Sequence, residues 1–317
     1  MTVFLSTLEQ MGFLFTLIAL GYLLTKLRAV PEGTAAVLSK LENLLFIPSL
    51  VCGTFLKYFT KEKLGEAGTL FLAGLCLALL SIPVAILFSH LLTKDGFTRN
   101  IFTYALTFSN FGFMGNAVVS ALFPDIFLDY LIFTLPFWAL IYLWAVPCLL
   151  LPDNGKCGLA GKLRNFVNPM FFGIIAGMIL GLCGLTVPTF LQNAVDVLGG
   201  CMSPVAMLLT GMTVAGIDLR KTFTDPVLYA VSGIRLLLLP GILLGVLLIA
   251  DRVFSFSVPQ NLAVSATAAL AMPLGLNTVV IPAAYGKDTS AASGMALISH
   301  LCSVGTIPLV FFLLSLI

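Results

Sequence analysis

The chain has 317 residues, of which 59% are hydrophobic and only 9% are charged. A soluble domain carries about 25% charged residues, so this composition excludes a water-soluble protein and indicates an integral membrane protein. The formal net charge of +2 provides no strongly basic surface, which argues against a nucleic-acid-binding protein.

A membrane-spanning helix needs about 20 mostly apolar residues, and charged clusters together with Pro and Gly divide this chain into about ten such stretches. The predicted spans are 7–26, 34–57, 66–92, 99–122, 126–150, 169–187, 190–217, 226–250, 259–284 and 289–315. These spans predict an all-α membrane protein. It has a first five-helix repeat over 1–150, a central cytoplasmic loop over 151–168 and a second five-helix repeat over 169–317.

The placement of Lys and Arg in the short loops predicts the orientation of the chain. Ten Lys and Arg residues lie in or beside the loops that follow the first, third, fifth, seventh and ninth spans, against four beside the other loops, and the side with more basic residues faces the cytoplasm. We therefore expect a multi-pass protein of the cell inner (plasma) membrane with both termini outside the cytoplasm.

The two halves of the chain repeat several features in the same order. The second span reads "LENLLFIPSLVCGTFLK" and the seventh "VDVLGGCMSPVAMLLTGMTVAG", each with an acidic residue (Glu42, Asp196) followed by a Pro. The fourth and ninth spans are interrupted by "SNFGFMGN" and "AMPLGLNTVVIP". Because five is an odd number, the second copy must enter the membrane from the opposite side, which predicts an inverted repeat of the kind found in secondary transporters.

The interruptions in the fourth and ninth spans are the candidate binding site. Gly and Pro at membrane depth leave backbone groups unpaired, which lipid cannot satisfy, so such breaks face a cavity or protein. Two half-helix N-termini directed at one point would bind an anion. The predicted substrate-binding residues are Asn110, Gly112, Gly115, Asn116, Pro273, Gly275 and Asn277. For the Asn residues, a hydrogen bond between helices is the alternative.

Four ionisable residues within the spans are further candidates. Arg235 should be paired or lie in a cavity; we predict that it neutralises a substrate carboxylate, with an ion pair to Asp218 or Asp225 as the alternative. His300, Glu42 and Asp196 are candidates for proton coupling. For the two acids the alternative is a capping or pairing role near a membrane face, and for His300 it is an ordinary hydrogen bond.

Other classes of function lack their motifs. The seven Cys residues show no CxxC spacing, so we expect neither a metal site nor a cofactor. H-E-x-x-H, G-x-S-x-G and paired intramembrane Asp residues are missing from the sequence, which predicts that the protein is not an enzyme. A channel would need a ring of selectivity residues, for which the repeat offers no pattern.

The chain resembles the auxin efflux carrier family, the plant PIN proteins and their bacterial relatives. The similar segments are "FIPSLVCGTF", "LTFSNFGFMGNAVVSALF", "MSPVAMLLTGMTVAG", "RLLLLPGILL" and "AMPLGLNTVVIPAAYGKD", which are distributed over essentially the whole chain. The short central loop resembles that of the bacterial type.

The resemblance implies a secondary active transporter of a small organic anion, a carboxylate such as malate, malonate or an auxin-like acid. It implies alternating access of the elevator type, in which the first, second, sixth and seventh helices form a scaffold that also makes a homodimer. The fourth and ninth helices would cross in the mobile part. A sodium-coupled carrier similar to the bile-acid symporters and a non-transporting membrane sensor are the alternatives.

Overall fold

The computed structural model describes residues 2–151, 169–216, 219–255, 257–284, 287 and 289–317, and their regular secondary structure is helical. The α-helices are α1 (Thr2–Lys26), α2 (Thr34–Leu41), α3 (Ile47–Tyr58), α4 (Lys63–Leu92), α5 (Gly96–Thr107), α6 (Asn116–Leu122), α7 (Phe127–Leu140), α8 (Pro169–Cys183), α9 (Thr189–Ala215), α10 (Leu219–Thr224), α11 (Pro226–Gly233), α12 (Leu239–Phe254), α13 (Gln260–Ala271), α14 (Asn277–Ala284) and α15 (Ser290–Leu314). Four π-helical segments, Glu42–Phe46, Phe111–Gly115, Ile141–Leu150 and Ile234–Leu238, continue or precede these helices.

Seven helical stretches within the described ranges are long and apolar enough to cross a membrane. They are Phe4–Lys26, Thr34–Tyr58, Lys63–Leu92, Pro124–Leu150, Thr189–Ala215, Pro226–Val253 and Ser290–Leu314. Together they establish an all-α, multi-pass membrane protein, as the composition predicts.

The predicted fourth, sixth and ninth spans are not among those seven, and in each case a local feature of the chain makes the helix too short. The fourth and ninth are divided into half-helices, α5 with α6 and α13 with α14. The sixth, α8, has only 15 residues and ends before Gly184, whose φ of 62° is the left-handed conformation that terminates helices.

Helices α3 and α8 pack closely because α8 carries a row of glycines. Gly173, Gly177 and Gly181 are four residues apart and lie on one face of the helix. A Cβ atom on Gly173 would meet the Pro48 carbonyl oxygen at 2.6 Å, and one on Gly177 would meet the Cys52 carbonyl oxygen at 2.6 Å. Small residues of this kind let helix backbones approach in the apolar medium of a membrane, where packing drives helix association.

Helices α1 and α9 make the same kind of contact. A Cβ atom on Gly21 would overlap the carbonyl group of Leu208, and one on Gly211 would overlap that of Ile18. Helix α9 also packs against α3, because a Cβ atom on Gly199 would lie only 2.9 Å from the Leu50 Cα. The helices α1, α3, α8 and α9 therefore form one tightly packed group.

The beginnings of α4, α7 and α13 are joined at one end of the molecule. The buried carboxylate of Asp129 accepts a hydrogen bond of 2.8 Å from the Asn261 amide and pairs with the Lys63 ammonium at 3.4 Å. This cluster positions α13 against the first half of the chain and so helps to place the two broken helices side by side.

Candidate functional site

The two interrupted helices cross at their breaks. Helix α5 ends at Thr107 and the chain becomes helical again at Phe111, whereas α13 ends at Ala271 and α14 begins at Asn277. Between these ends Ser109 and Leu274 form an antiparallel bridge, and the Asn110 backbone N–H donates to the Pro273 carbonyl at 2.7 Å. We call residues 108–110 and 272–276 together the crossover. Both breaks lie where the sequence predicts them.

The break at the end of α13 follows from the chemistry of proline. Pro273 has no N–H group, so the Ala269 carbonyl cannot receive the hydrogen bond that a continuing helix would supply. That carbonyl instead accepts the Ser109 hydroxyl at 2.7 Å and an Arg235 N–H at 2.9 Å. The unpaired backbone group is therefore satisfied by side chains from other parts of the chain, as the membrane interior requires.

Gly275 is required by the close approach of the two breaks. A Cβ atom at this position would lie 3.1 Å from the Ser109 carbonyl oxygen and 3.3 Å from the Phe108 carbonyl oxygen. Gly112 and Gly115 leave room for aromatic side chains. A Cβ atom at Gly112 would overlap the Trp138 ring, and one at Gly115 would overlap the Tyr130 hydroxyl. The predicted glycines thus serve packing at the crossover.

Asn110 and His300 form a buried polar pair, although 190 residues separate them in the sequence. The Asn110 amide nitrogen lies 3.1 Å from His300 Nε2, and His300 Nδ1 lies 2.7 Å from the Ala296 carbonyl oxygen. Because a carbonyl only accepts, Nδ1 carries the proton of a neutral imidazole and Nε2 accepts from Asn110. The Asn110 oxygen Oδ1 is buried and has no hydrogen-bond partner among the described residues.

Asn277 does not occupy the position equivalent to Asn110, although the similar motifs in the sequence suggest that it does. If Ser109 is taken as equivalent to Leu274, Gly275 is the counterpart of Asn110, and Asn277 lies two residues further on. Its amide donates to the Tyr104 hydroxyl at 3.2 Å, so it joins the first residue of α14 to α5. Asn116 is the first residue of α6 and is 4% exposed.

Arg235 is fully buried and points to the crossover from the π-helical segment Ile234–Leu238. Its guanidinium donates to the carbonyls of Leu106 at 2.8 Å, Ala269 at 2.9 Å and Met272 at 3.4 Å. The alternative of an ion pair with Asp225 is wrong, because that carboxylate caps α11 by accepting from the Val227 N–H. Asp218 lies outside the described residues.

The two acids that occupy equivalent places in the sequence have different environments. Asp196 is partly exposed and pairs with Lys57 at 2.7 Å, which agrees with a pairing role. Glu42 is 0% exposed, and in the described part of the chain neither of its carboxylate oxygens has a hydrogen-bond partner. A role for Glu42 as a surface cap is therefore wrong.

Cavities lie at opposite ends of α15, and the crossover lies between them. The larger cavity, of about 660 Å³, surrounds the start of α15 and is lined by Thr98 and Phe102 of α5, Thr213 of α9 and Val279 of α14. The smaller, of about 230 Å³, surrounds the end of α15 near Phe311. Ser299, whose hydroxyl accepts from the Leu274 N–H at 3.2 Å, and His300 hold the crossover midway along this helix.

Several residues of the site have no local signal in the sequence. Tyr130 donates to the Phe111 carbonyl at 2.8 Å, and Tyr104 and Ser299 contact the second break as described. Ser109 stands next to Asn110 in the interrupted motif, so the same reasoning that singled out Asn110 could have found it. Tyr104, Tyr130 and Ser299 lie within regular helices, where only the tertiary contacts reveal them.

A multi-pass helical membrane protein in which two interrupted helices cross inside the packed interior is of a kind typical of secondary carriers. A protein-family model described as "Membrane transport protein" matches residues 6–162 and 156–311. The chain therefore belongs to this auxin efflux carrier-like membrane transport family.

One relative supports the same class. The chain is 26% identical over 311 residues to an "Uncharacterized transporter" of Methanothermobacter thermautotrophicus (strain Delta H), and the match covers 97% of this chain and 98% of that protein. Both the family and this relative are described as membrane transporters.

Proposed function

We propose that the protein is a secondary active carrier of a small organic anion, a carboxylate such as malate, malonate or an auxin-like acid, and that the crossover binds it. The observation that carries this proposal is the Asn110–His300 pair, because a buried amide whose oxygen lacks a partner is costly unless it has a function. The half-helix that begins at Phe111 adds backbone N–H donors beside Asn110.

The pair suggests how anion binding is coupled to protons. If Nε2 of His300 takes up a proton, it becomes a donor, and the Asn110 amide must rotate to offer Oδ1. The NH₂ group then occupies the place where Oδ1 now lies without a partner, and presents donors to a carboxylate. The negative charge of the substrate in turn offsets the positive charge of the imidazolium, so that proton and anion bind together.

The helix bounds support the overall arrangement that we propose for the carrier. Within the described residues, counting the divided helices and α8 as spans gives ten, five in 1–150 and five in 169–317. In our proposal the two sets are related as an inverted repeat around the central segment 151–168. In this arrangement both termini lie outside the cytoplasm. The start of α15 and the larger cavity face the cytoplasm, which corresponds to an inward-open or partly occluded carrier of the inner (plasma) membrane.

An elevator movement would displace the crossover relative to the glycine-packed group α1, α3, α8 and α9. That group is a suitable rigid scaffold because its helices touch through their backbones. Large apolar side chains on its outer surface, such as Phe172 at 60% and Phe190 at 71% exposure, suit contact with lipid or with a second copy in a homodimer.

The test is uptake of labelled malate, malonate and oxalate into proteoliposomes. We expect uptake that increases when the interior is made alkaline, because protons then move with the anion. The His300→Gln variant should retain anion exchange and lose the pH response, since Gln can hydrogen-bond Asn110 but cannot titrate.

The matched control is His90→Gln, because His90 is exposed and bonded only within its own helix. It should behave like the original protein. Lack of flux of any carboxylate under any gradient, with folded protein, would refute the carrier assignment. A normal pH response of His300→Gln would refute the coupling role.

A further inference from the structure

The ends of two half-helices converge on a single positive charge. The Arg235 guanidinium uses three N–H groups to reach the carbonyls of Leu106 in the last turn of α5, Ala269 in the last turn of α13, and Met272 just beyond it. Helix C-termini carry negative partial charge and carbonyls without an intrahelical partner. The side chain thus lies where two such ends meet.

Each of these carbonyls is available because of the break beside it. The Leu106 carbonyl would accept from the Asn110 N–H in a continuous helix, but that N–H donates to Pro273. The Ala269 carbonyl has no helical donor because residue 273 is a proline. Met272 is already in an extended conformation, with φ −70° and ψ 151°. The breaks themselves therefore create the acceptor set.

Among the described residues, no carboxylate forms an ion pair with Arg235. In the part of the chain that the structure describes, the hydrogen bonds of Arg235 go to backbone carbonyls, and the buried Asp129 and the half-exposed Asp196 pair with Lys63 and Lys57 instead. A buried charge is tolerated only where hydrogen bonds and dipoles compensate it, and here the half-helix ends provide that compensation.

Unwound carbonyls and half-helix C-termini are the groups that coordinate Na⁺ in carriers with broken helices. We propose that Arg235 is a built-in cation that permanently fills such a site, so that transport needs no sodium, and that removal of its side chain creates a site for a monovalent cation. The independence of transport from sodium rests on the carrier function proposed above. The cation site in the variant does not depend on that function. The planar guanidinium suits this place because its donors point in several fixed directions.

The experiment compares thermal unfolding of the purified protein and its Arg235→Ala variant in sodium, potassium and N-methylglucamine chloride. The original protein should unfold at the same temperature in all three salts. Arg235→Ala should unfold at a lower temperature, and Na⁺, K⁺ or added guanidinium ion should raise that temperature by about 2–4 °C as it fills the vacated site. Arg252→Ala is the matched control, because Arg252 lies on α12 with 71% side-chain exposure, and should show no ion effect.

Two results would overturn the proposal. One is a sodium-dependent unfolding temperature or a sodium requirement for transport in the original protein. The other is a folded Arg235→Ala variant on which neither Na⁺, K⁺ nor guanidinium has any effect.

If Arg235→Ala does not fold, the Arg235→Lys variant tests the proposal. Its ammonium group should keep the site filled and the protein insensitive to sodium, and a sodium-dependent increase in its unfolding temperature would contradict the proposal. Because unfolding is measured without substrate, the cation site can be established even if no organic anion proves to be transported, and the reverse also holds.

Discussion

The break at residues 108–110 contributes polar side chains to the crossover, whereas the break at 272–276 contributes mainly backbone carbonyls. Ser109 and Asn110 donate to groups on α13 and α15, and the second break, with Pro273 and Gly275, has no polar side chain of its own. In the proposed carrier, the first break would therefore provide the groups that distinguish a ligand, and the second would provide shape and negative dipoles. The two breaks therefore differ in the chemistry that they present at the crossover.

The largest effect should come from removing the side chain that distinguishes the first break. Asn110→Ala eliminates the donor that we expect to meet the carboxylate, and a hydrogen bond to a charged group contributes about 1.5–3 kcal/mol. We expect the apparent affinity for the anion to fall about 10- to 100-fold, measured as concentration-dependent uptake into proteoliposomes. Asn43→Ala is the control, because Asn43 is exposed and bonds within its own helix. Equal affinity in Asn110→Ala would show that the two breaks do not differ in this way.

Pro273→Ala tests whether the second break acts through its backbone. Pro is less favourable than Ala in a helix by about 3 kcal/mol, so the substitution lets α13 continue and takes the Ala269 carbonyl away from Ser109 and Arg235. We expect transport to decrease about tenfold, which corresponds to about 1.4 kcal/mol, while the protein stays folded. Pro83→Ala on α4, an exposed proline outside the crossover, should leave uptake unchanged. If both variants transport normally, the proline is not needed for the break.

Gly275→Ala tests the separation of the two breaks. The added methyl group would press on the Ser109 and Phe108 carbonyls at 3.1 and 3.3 Å, and overpacking of this kind costs about 1–3 kcal/mol. A lower unfolding temperature in detergent is the expected result. Gly245→Ala on α12 has nothing within 4 Å of the new atom and should stabilise the helix by about 0.5–1 kcal/mol. A loss of stability in both variants would mean that the close approach is not the cause.

Ser109→Ala should have the smallest effect. Its hydroxyl donates to the Ala269 carbonyl at 2.7 Å, but Arg235 donates to the same carbonyl, so no acceptor is left unpaired. The expected loss of stability is about 1 kcal/mol, with the affinity for the anion nearly unchanged. Ser81→Ala, which removes a bond within α4, is the comparison. A loss of affinity as large as that of Asn110→Ala would place Ser109 in direct contact with the substrate.

Local chemistry was sufficient to predict the breaks and the membrane location. Pro273 and Gly275 disrupt a helix whatever surrounds them, and "SNFGFMGN" combines residues that rarely continue one in lipid. The candidate residues Asn110, Pro273, Gly275 and Arg235 do meet at the crossover. Their roles as substrate ligands stay predictions.

Repeat-based equivalence was less reliable than local chemistry. Glu42 and Asp196 follow the same pattern in the two halves, but one is buried without a partner in the described ranges and the other pairs with Lys57. Asn277 was matched to Asn110 by similarity of motif and bonds to Tyr104 instead. A sequence repeat conveys the order of elements, and it does not convey which neighbours each side chain meets.

The sequence by itself determined that this chain lies in a membrane, where its helices are interrupted and to which family it is similar, because hydropathy and the backbone limits of Pro and Gly act over a few residues. Only the tertiary structure decided that Arg235 donates hydrogen bonds to three carbonyls and that Asn110 donates one to His300. Those contacts join residues between 34 and 190 positions apart, and their geometry depends on how whole helices pack.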